Sequence, residues 1–196
     1  MAITPDLTIR ETAALSGVPR SLIEKAVEAR VLEPLTASAR FRGGATRYLP
    51  IRAVAYFHAL QAARLNDLPL RHKRSIWGCV ARLEPMKLKT IEFAPGALLD
   101  LERLAADSLG SAERYRAARD RCITSNEDIL GGTPVIAGTR ITVYAVLGRL
   151  QDGDTIDELL DDYPEVAREG FEAAELYARA HPLRGRPSGR PWKNVA

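Results

Sequence analysis

The chain is poor in the features that mark secreted, membrane-spanning and metal-dependent proteins. Only two of its 196 residues are cysteine, Cys79 and Cys122. So few, so far apart, argue against a disulfide framework and for a reducing cytosol. No apolar run reaches membrane-spanning length, and residues 1–6 lack a basic stretch followed by an apolar one, so a cytoplasmic location with no membrane partner is expected. The three histidines, His58, His72 and His181, have no second His or Cys at ligand spacing, which predicts no metal site. The glycines at 131, 132 and 138 lack the Gly-Lys-Ser/Thr ending of a phosphate loop, and their spacing is not that of a dinucleotide-binding turn. No nucleophile, base or ligand constellation stands out. The sequence therefore predicts no catalytic residue, no cofactor and no enzyme.

What is present is segregated charge. The net charge of +3 combines a basic head, an acidic middle and a basic end. Residues 1–79 hold 12 Lys+Arg against 6 Asp+Glu, net +6. Residues 80–181 hold 12 against 19, net −7, and residues 182–196 hold four bases and no acid. A basic head suits a polyanion, and an acidic middle argues against a second nucleic-acid surface there.

In the head, Thr8 followed three residues later by Glu11 has the pattern of a capping box, Ser16-Gly17-Val18 that of a tight turn, and Pro19 that of a helix start. From 19 to 30, Leu22, Ile23, Ala26 and Val27 share one face and leave Arg20, Ser21, Glu24, Lys25 and Glu28 outward. A short strand at 31–35 is expected, then a β-hairpin at 41–48 with Gly43 and Gly44 at its tip, flanked by Arg42 and Arg47. A helix opening at Pro50 should run to about Asn66-Asp67. This order resembles the MerR-like winged helix-turn-helix. The resemblance implies phosphate contacts from the hairpin's Arg47 and Tyr48, with Arg42 beside them, and base-edge contacts from Arg20, Ser21 and Lys25. One departure stands out: MerR-type regulators dimerise through a long coiled coil. Here residues 87–93 alternate like a strand, and a helix is expected only over 97–109, closed by Gly110-Ser111.

The most distinctive stretch is Gly131-Gly132-Thr133-Pro134-Val135-Ile136-Ala137-Gly138-Thr139-Arg140. Two glycine turns bracket a β-branched pair, and the Gly138-Thr139-Arg140 end, here the GTR box, leads into a helix. Asn126-Glu127-Asp128-Ile129-Leu130 precedes it, and Ile156-Asp157-Glu158-Leu159-Leu160-Asp161-Asp162-Tyr163-Pro164 follows. From about Ile123 to His181 the pattern resembles domain of unknown function 433, found in antitoxins of type II toxin–antitoxin pairs. Three helices are expected there: one capped by Thr142, one boxed by Thr155 and Glu158, and one ending at His181. Positions 152–175 hold ten acids and one base, Arg168, too acidic a run to lie on DNA. A solvated face and a protein-contact face both fit; the resemblance favours contact.

The end of the chain, rich in Pro and Gly without apolar period, is expected to be disordered alone. VapB-type antitoxins, which the chain resembles, inhibit PIN-type ribonucleases that hold metal in a carboxylate cluster. That implies insertion of Arg184, Arg186 or Arg190 among those carboxylates, with Trp192 as anchor. Deleting the tail should then relieve inhibition and spare operator binding. The expected fold is mainly α with short β elements. Its parts are a winged helix-turn-helix at 1–79, a connecting strand and helix at 80–121, a three-helix domain with the GTR box at 122–181, and a tail at 182–196. The expected partners are operator DNA, a PIN-type ribonuclease toxin and a second copy of the chain. The alternative is a stand-alone regulator responding to a small ligand.

Overall fold

Thr8 starts the first helix as its spacing to Glu11 requires. In the computed structural model, which describes residues 6–41, 44–84 and 87–183, Thr8 Oγ1 accepts the Glu11 N–H at 3.2 Å. Glu11 Oε2 accepts the Thr8 N–H at 2.7 Å in return. Helix α1 (Ile9–Ser16) stops at Gly17, whose φ of +71° lets its N–H turn back to the Ala13 carbonyl. Helix α2 (Arg20–Glu28) follows, with Pro19 one place outside it as the N-cap. A short strand β1 (Leu7–Thr8) precedes α1, and β2 (Leu35–Ser38) and β3 (Ala45–Leu49) form an antiparallel hairpin after α2. The three make one sheet in the order β1-β3-β2. The strand expected at 31–35 thus begins where it was meant to end. Val31 and Leu32 are instead drawn into the core, 5 % and 1 % exposed.

Helix α3 (Arg52–Ala62) is shorter than expected, because the chain turns at Arg64, whose φ is +56°. Helix α4 (Leu70–Arg82) had no counterpart in the sequence reading; it buries Ile76 and Val80, one turn apart. A second hairpin, β4 (Thr90–Ala94) and β5 (Ala97–Asp100), turns at Gly96 and leads into α5 (Leu101–Cys122). The expected break at Gly110-Ser111 does not occur. Leu101, Ala105, Leu109, Ala112, Tyr115 and Arg119 form one buried stripe along all 22 residues of α5. Burial on that scale outweighs the roughly 1 kcal/mol cost of one mid-helix glycine.

After α5, β6 (Ile123–Thr124) pairs antiparallel with β7 (Val135–Ile136), and Val135 also bridges Thr142. Helices α6 (Val143–Asp152), α7 (Ile156–Asp162) and α8 (Arg168–Ala180) complete the chain, with Thr142 and Thr155 capping the first two as expected. The molecule is mainly helical, with eight α-helices and short strands among the described residues. No helix among those residues is long and apolar enough to cross a membrane.

The core does not divide at residue 79 or 121. One apolar cluster gathers Ile23, Leu32, Phe57, Ile76 and Leu99 around the first half of α5. The other gathers Val146, Leu159, Phe171 and Tyr177 around its second half, and Leu7 and Val54 of the head belong to it. Helix α5 is the shared spine.

Candidate nucleic-acid interface

Helix α2, the β2–β3 hairpin and the end of α8 enclose a cleft of about 440 Å³. Its rim carries Arg10, Arg20, Arg40 and Arg47; its floor includes Thr8, Glu11, Arg119 and His181. The floor is a closed network. Arg119, 1 % exposed, donates from Nη1 to Glu11 Oε1 at 2.9 Å, from Nε to Asp120 Oδ1 at 2.9 Å, and from Nη2 to the Asp6 carbonyl at 2.9 Å. Tyr115 donates its hydroxyl to the same Glu11 oxygen at 2.7 Å. Burial alone would push the Glu11 carboxyl up, but Arg119, His181, the Thr8 amide and the Tyr115 hydroxyl together hold it below the usual range. The same burial and the Glu11 charge push the Tyr115 hydroxyl well above its ordinary value. His181 stacks on Tyr177 with ring centroids 4.3 Å apart, and its Nε2 lies 3.3 Å from Thr8 Oγ1. Burial lowers its pKa despite the pull of Glu11. These contacts tie α1 to α5 and α8, so the cleft has a rigid floor beneath a cationic rim.

The rim is not uniform. Arg20 is held by Glu24 through Nε at 2.8 Å and Nη2 at 2.6 Å, and Arg40 pairs with Asp120 at 3.1 Å. Arg47 is exposed, and its guanidinium forms no ion pair or hydrogen bond among the described residues. Tyr48 differs from the expected phosphate contact. It is 3 % exposed, accepts the Arg40 N–H at 3.1 Å and donates to the Ser38 carbonyl at 3.1 Å. It braces the hairpin from inside. Ser21 and Lys25 lie on the other side of α2, in a second cleft of about 420 Å³ with Leu22, Phe57, Leu60 and Lys73. The expected DNA-reading set is therefore split across α2. Arg42, Arg184, Arg186, Arg190 and Trp192 lie outside the described residues.

The sequence reading missed Arg119 and His181 as parts of this site. Arg119 sits one turn after Tyr115 on the buried stripe, a signal visible only once α5 is carried past Gly110.

The acidic run is less acidic in space than in sequence. Arg149 pairs with Asp154 and Asp162 at 2.5 and 2.6 Å, Arg168 with Asp157, Arg121 with Glu169, and Arg179 with Glu175. Three of those arginines lie outside the run itself. Among the described residues, no group of three or more His, Cys, Asp or Glu side chains is placed to hold a metal ion.

Beside this unit, the GTR box is a closed turn. Gly138 has φ +78°, Thr139 Oγ1 donates to the Ile136 carbonyl at 2.9 Å, and it accepts the Ile141 N–H at 3.0 Å. Residues 123–178 match the family described as "Protein of unknown function (DUF433)". The match starts where the resemblance around the GTR box starts and ends three residues short of His181. The chain is also similar to the uncharacterized protein y4eO of Sinorhizobium fredii, 43% identical over 79 residues, which cover 39% of this chain and 36% of that protein. It thus spans about a third of that relative's length. The crystal structure of Rv2018 from Mycobacterium tuberculosis aligns over 88% of this chain and 97% of that one, at 20% identity and a TM-score of 0.36.

Proposed function

We propose that the protein is a DNA-binding antitoxin: its head binds operator DNA as a winged helix-turn-helix, and the whole chain neutralises a PIN-type ribonuclease. The observation that carries the DNA reading is the cleft between α2 and the β2–β3 hairpin, rimmed by Arg10, Arg20, Arg40 and Arg47. A helix and a hairpin separated by a cationic trough suit a groove and its flanking phosphates. Arg47 is the strongest phosphate contact, because its charge is not already used; Arg20 must give up Glu24 to reach a base. Tyr48 is not assigned a phosphate. The test is anisotropy titration of the chain's own promoter DNA over a range of salt. Arg47→Ala should weaken binding to specific and unrelated DNA alike and lower the salt slope by about one. An unchanged slope would remove the cleft from the interface.

The toxin half of the proposal rests on the resemblance of residues 123–181 to antitoxin domains and on the three arginines and one tryptophan of residues 184–196. The described chain reaches Leu183, and Pro182 lines the basic cleft, so truncation must fall after Leu183 to leave that lining intact. Purification from the native host should bring down a small partner with metal-dependent ribonuclease activity, and the truncated chain should fail to silence it. Full inhibition by the truncated chain would refute the tail's role.

A second reading, a regulator that responds to a small ligand, is favoured by the other cleft. Leu22, Phe57 and Leu60 give it an apolar wall directly behind α2, with Lys25 and Lys73 at its edge. A small apolar carboxylate that changes promoter affinity, with no nuclease co-purifying, would move the function to that reading.

A further inference from the structure

Leu130 is disfavoured twice over where it stands. It is 52 % exposed, and its φ of +49° is a left-handed conformation that leucine adopts only under constraint. Gly131 and Gly132, also left-handed, continue the 3-10 turn Leu130–Gly132, so the loop is built to hold that shape. A glycine at 130 would relieve both costs. Next to Leu130 lies a shallow cleft of about 600 Å³ lined by Ile129, Ile141 and Tyr163, with Arg140 and the exposed acid Glu165 at its edge. Arg140 is exposed and makes no ion pair or hydrogen bond among the described residues. The Leu130 loop carries two exposed carboxylates, Glu127 and Asp128.

We propose that this face, built by the GTR box and the Leu130 loop, is a two-fold interface with a second copy of the chain. Leu130 of each copy enters the Ile129–Ile141–Tyr163 cleft of the other. A two-fold contact requires one patch that complements itself, and this patch holds both halves of the fit. An apolar knob sits beside an apolar hollow, and acids on the knob loop match an unused arginine beside the hollow. The Leu130 loop also touches the hairpin of the basic cleft, where Ser125 Oγ, held by the Gly132 carbonyl at 2.6 Å, reaches the Phe41 carbonyl at 3.4 Å. The inference does not rest on the DNA reading, because the interface is tested without DNA.

The test is sedimentation velocity of the full chain across a concentration series. The wild type should dimerise. Leu130→Asp and Leu130→Gly should each raise the dimer dissociation constant at least about tenfold. At a concentration where both chains are monomeric, Leu130→Gly should leave the melting temperature unchanged or higher, which separates lost contact from misfolding. Arg140→Glu and Asp128→Arg should each weaken self-association, and an equimolar mixture of the two variants should restore dimers, since each copy then offers the charge the other needs. A wild-type chain that stays monomeric throughout the series overturns the proposal. So does a dimer indifferent to Leu130→Asp, or a charge-reversed mixture that does not recover.

Discussion

Arg119 is the residue on which the joining of the two ends of the chain most depends. It is a buried cation whose partners come from α1, from its own helix and from the backbone before β1. A buried ion pair adds little net stability over apolar packing, yet breaking one side of it is costly, since the other charge stays buried. Arg119→Met should therefore lower unfolding stability in urea by about 3–5 kcal/mol. Adding Glu11→Gln should recover part of that loss. If the double variant were as unstable as the sum of the two single variants, the pair would not be the cause. The same network sets an acid sensitivity. His181, faced by Glu11, Arg10, Arg119 and Tyr177, is held below its ordinary value of 6.5 in the folded state. The unfolded chain therefore binds more protons just below pH 6.5, and stability present above that pH falls as the pH drops through the window. Glu11, held below 4.5, adds a second loss at lower pH with the same sign. His181→Gln should flatten the upper part of this decline in urea titrations and leave the lower part. A decline unchanged between pH 6.5 and 5 would assign it to other groups.

At the scale of elements, what could be read was local. The capping boxes at Thr8 and Thr155, the Gly17 turn and the Thr142 cap are set by side chains three or four residues from the backbone groups they satisfy. Burial-driven extents could not be read so. Helix α4 lacks a side-chain cap and carries five Lys, Arg or His residues in 13, and only tertiary packing of Ile76 and Val80 reveals its buried face. In α5, Gly110 looked like an ending because the stripe that carries the helix past it had no visible partner in the sequence. Its Cβ position is clear except for the movable Arg114 guanidinium at 3.4 Å, and its φ is not left-handed. Gly110→Ala should therefore raise stability by roughly 0.5–1 kcal/mol, read as a higher melting temperature. A lower one would show that the spine needs a flexible point there. The candidate site divides in the same way. Arg20 and Arg47 were legible as outward bases on a helix and a hairpin, whereas the split of Arg20 from Ser21 and Lys25 depends on which side of α2 the hairpin packs.

For the whole molecule, the question is whether the head is a module that the rest merely follows. Charge segregation suggests so; the core says otherwise. Leu7 and Val54, both from the head, are fully buried in the cluster centred on α8, and Glu11 depends on an arginine 108 residues away. His181, past the end of α8, lies against the cap residue of α1. A fragment ending at residue 121 would keep Arg119 and Glu11 but lose Val146, Phe171 and Tyr177 from the cluster that holds Tyr115 and Ala118. Apolar surface of α1, α3 and the second half of α5 would face water, at about 25 cal/mol for each Å² exposed. The fragment should be unfolded, or aggregate, where the full chain folds. The full chain should unfold in one step, with Trp77 fluorescence in a Trp192→Phe background tracking loss of helical circular dichroism. A fragment that melts cooperatively near the full-chain temperature would restore the modular picture. DNA binding would then survive removal of the GTR unit. If the single core holds, the head and the GTR unit fold together around α5, and the head cannot be studied apart from the rest.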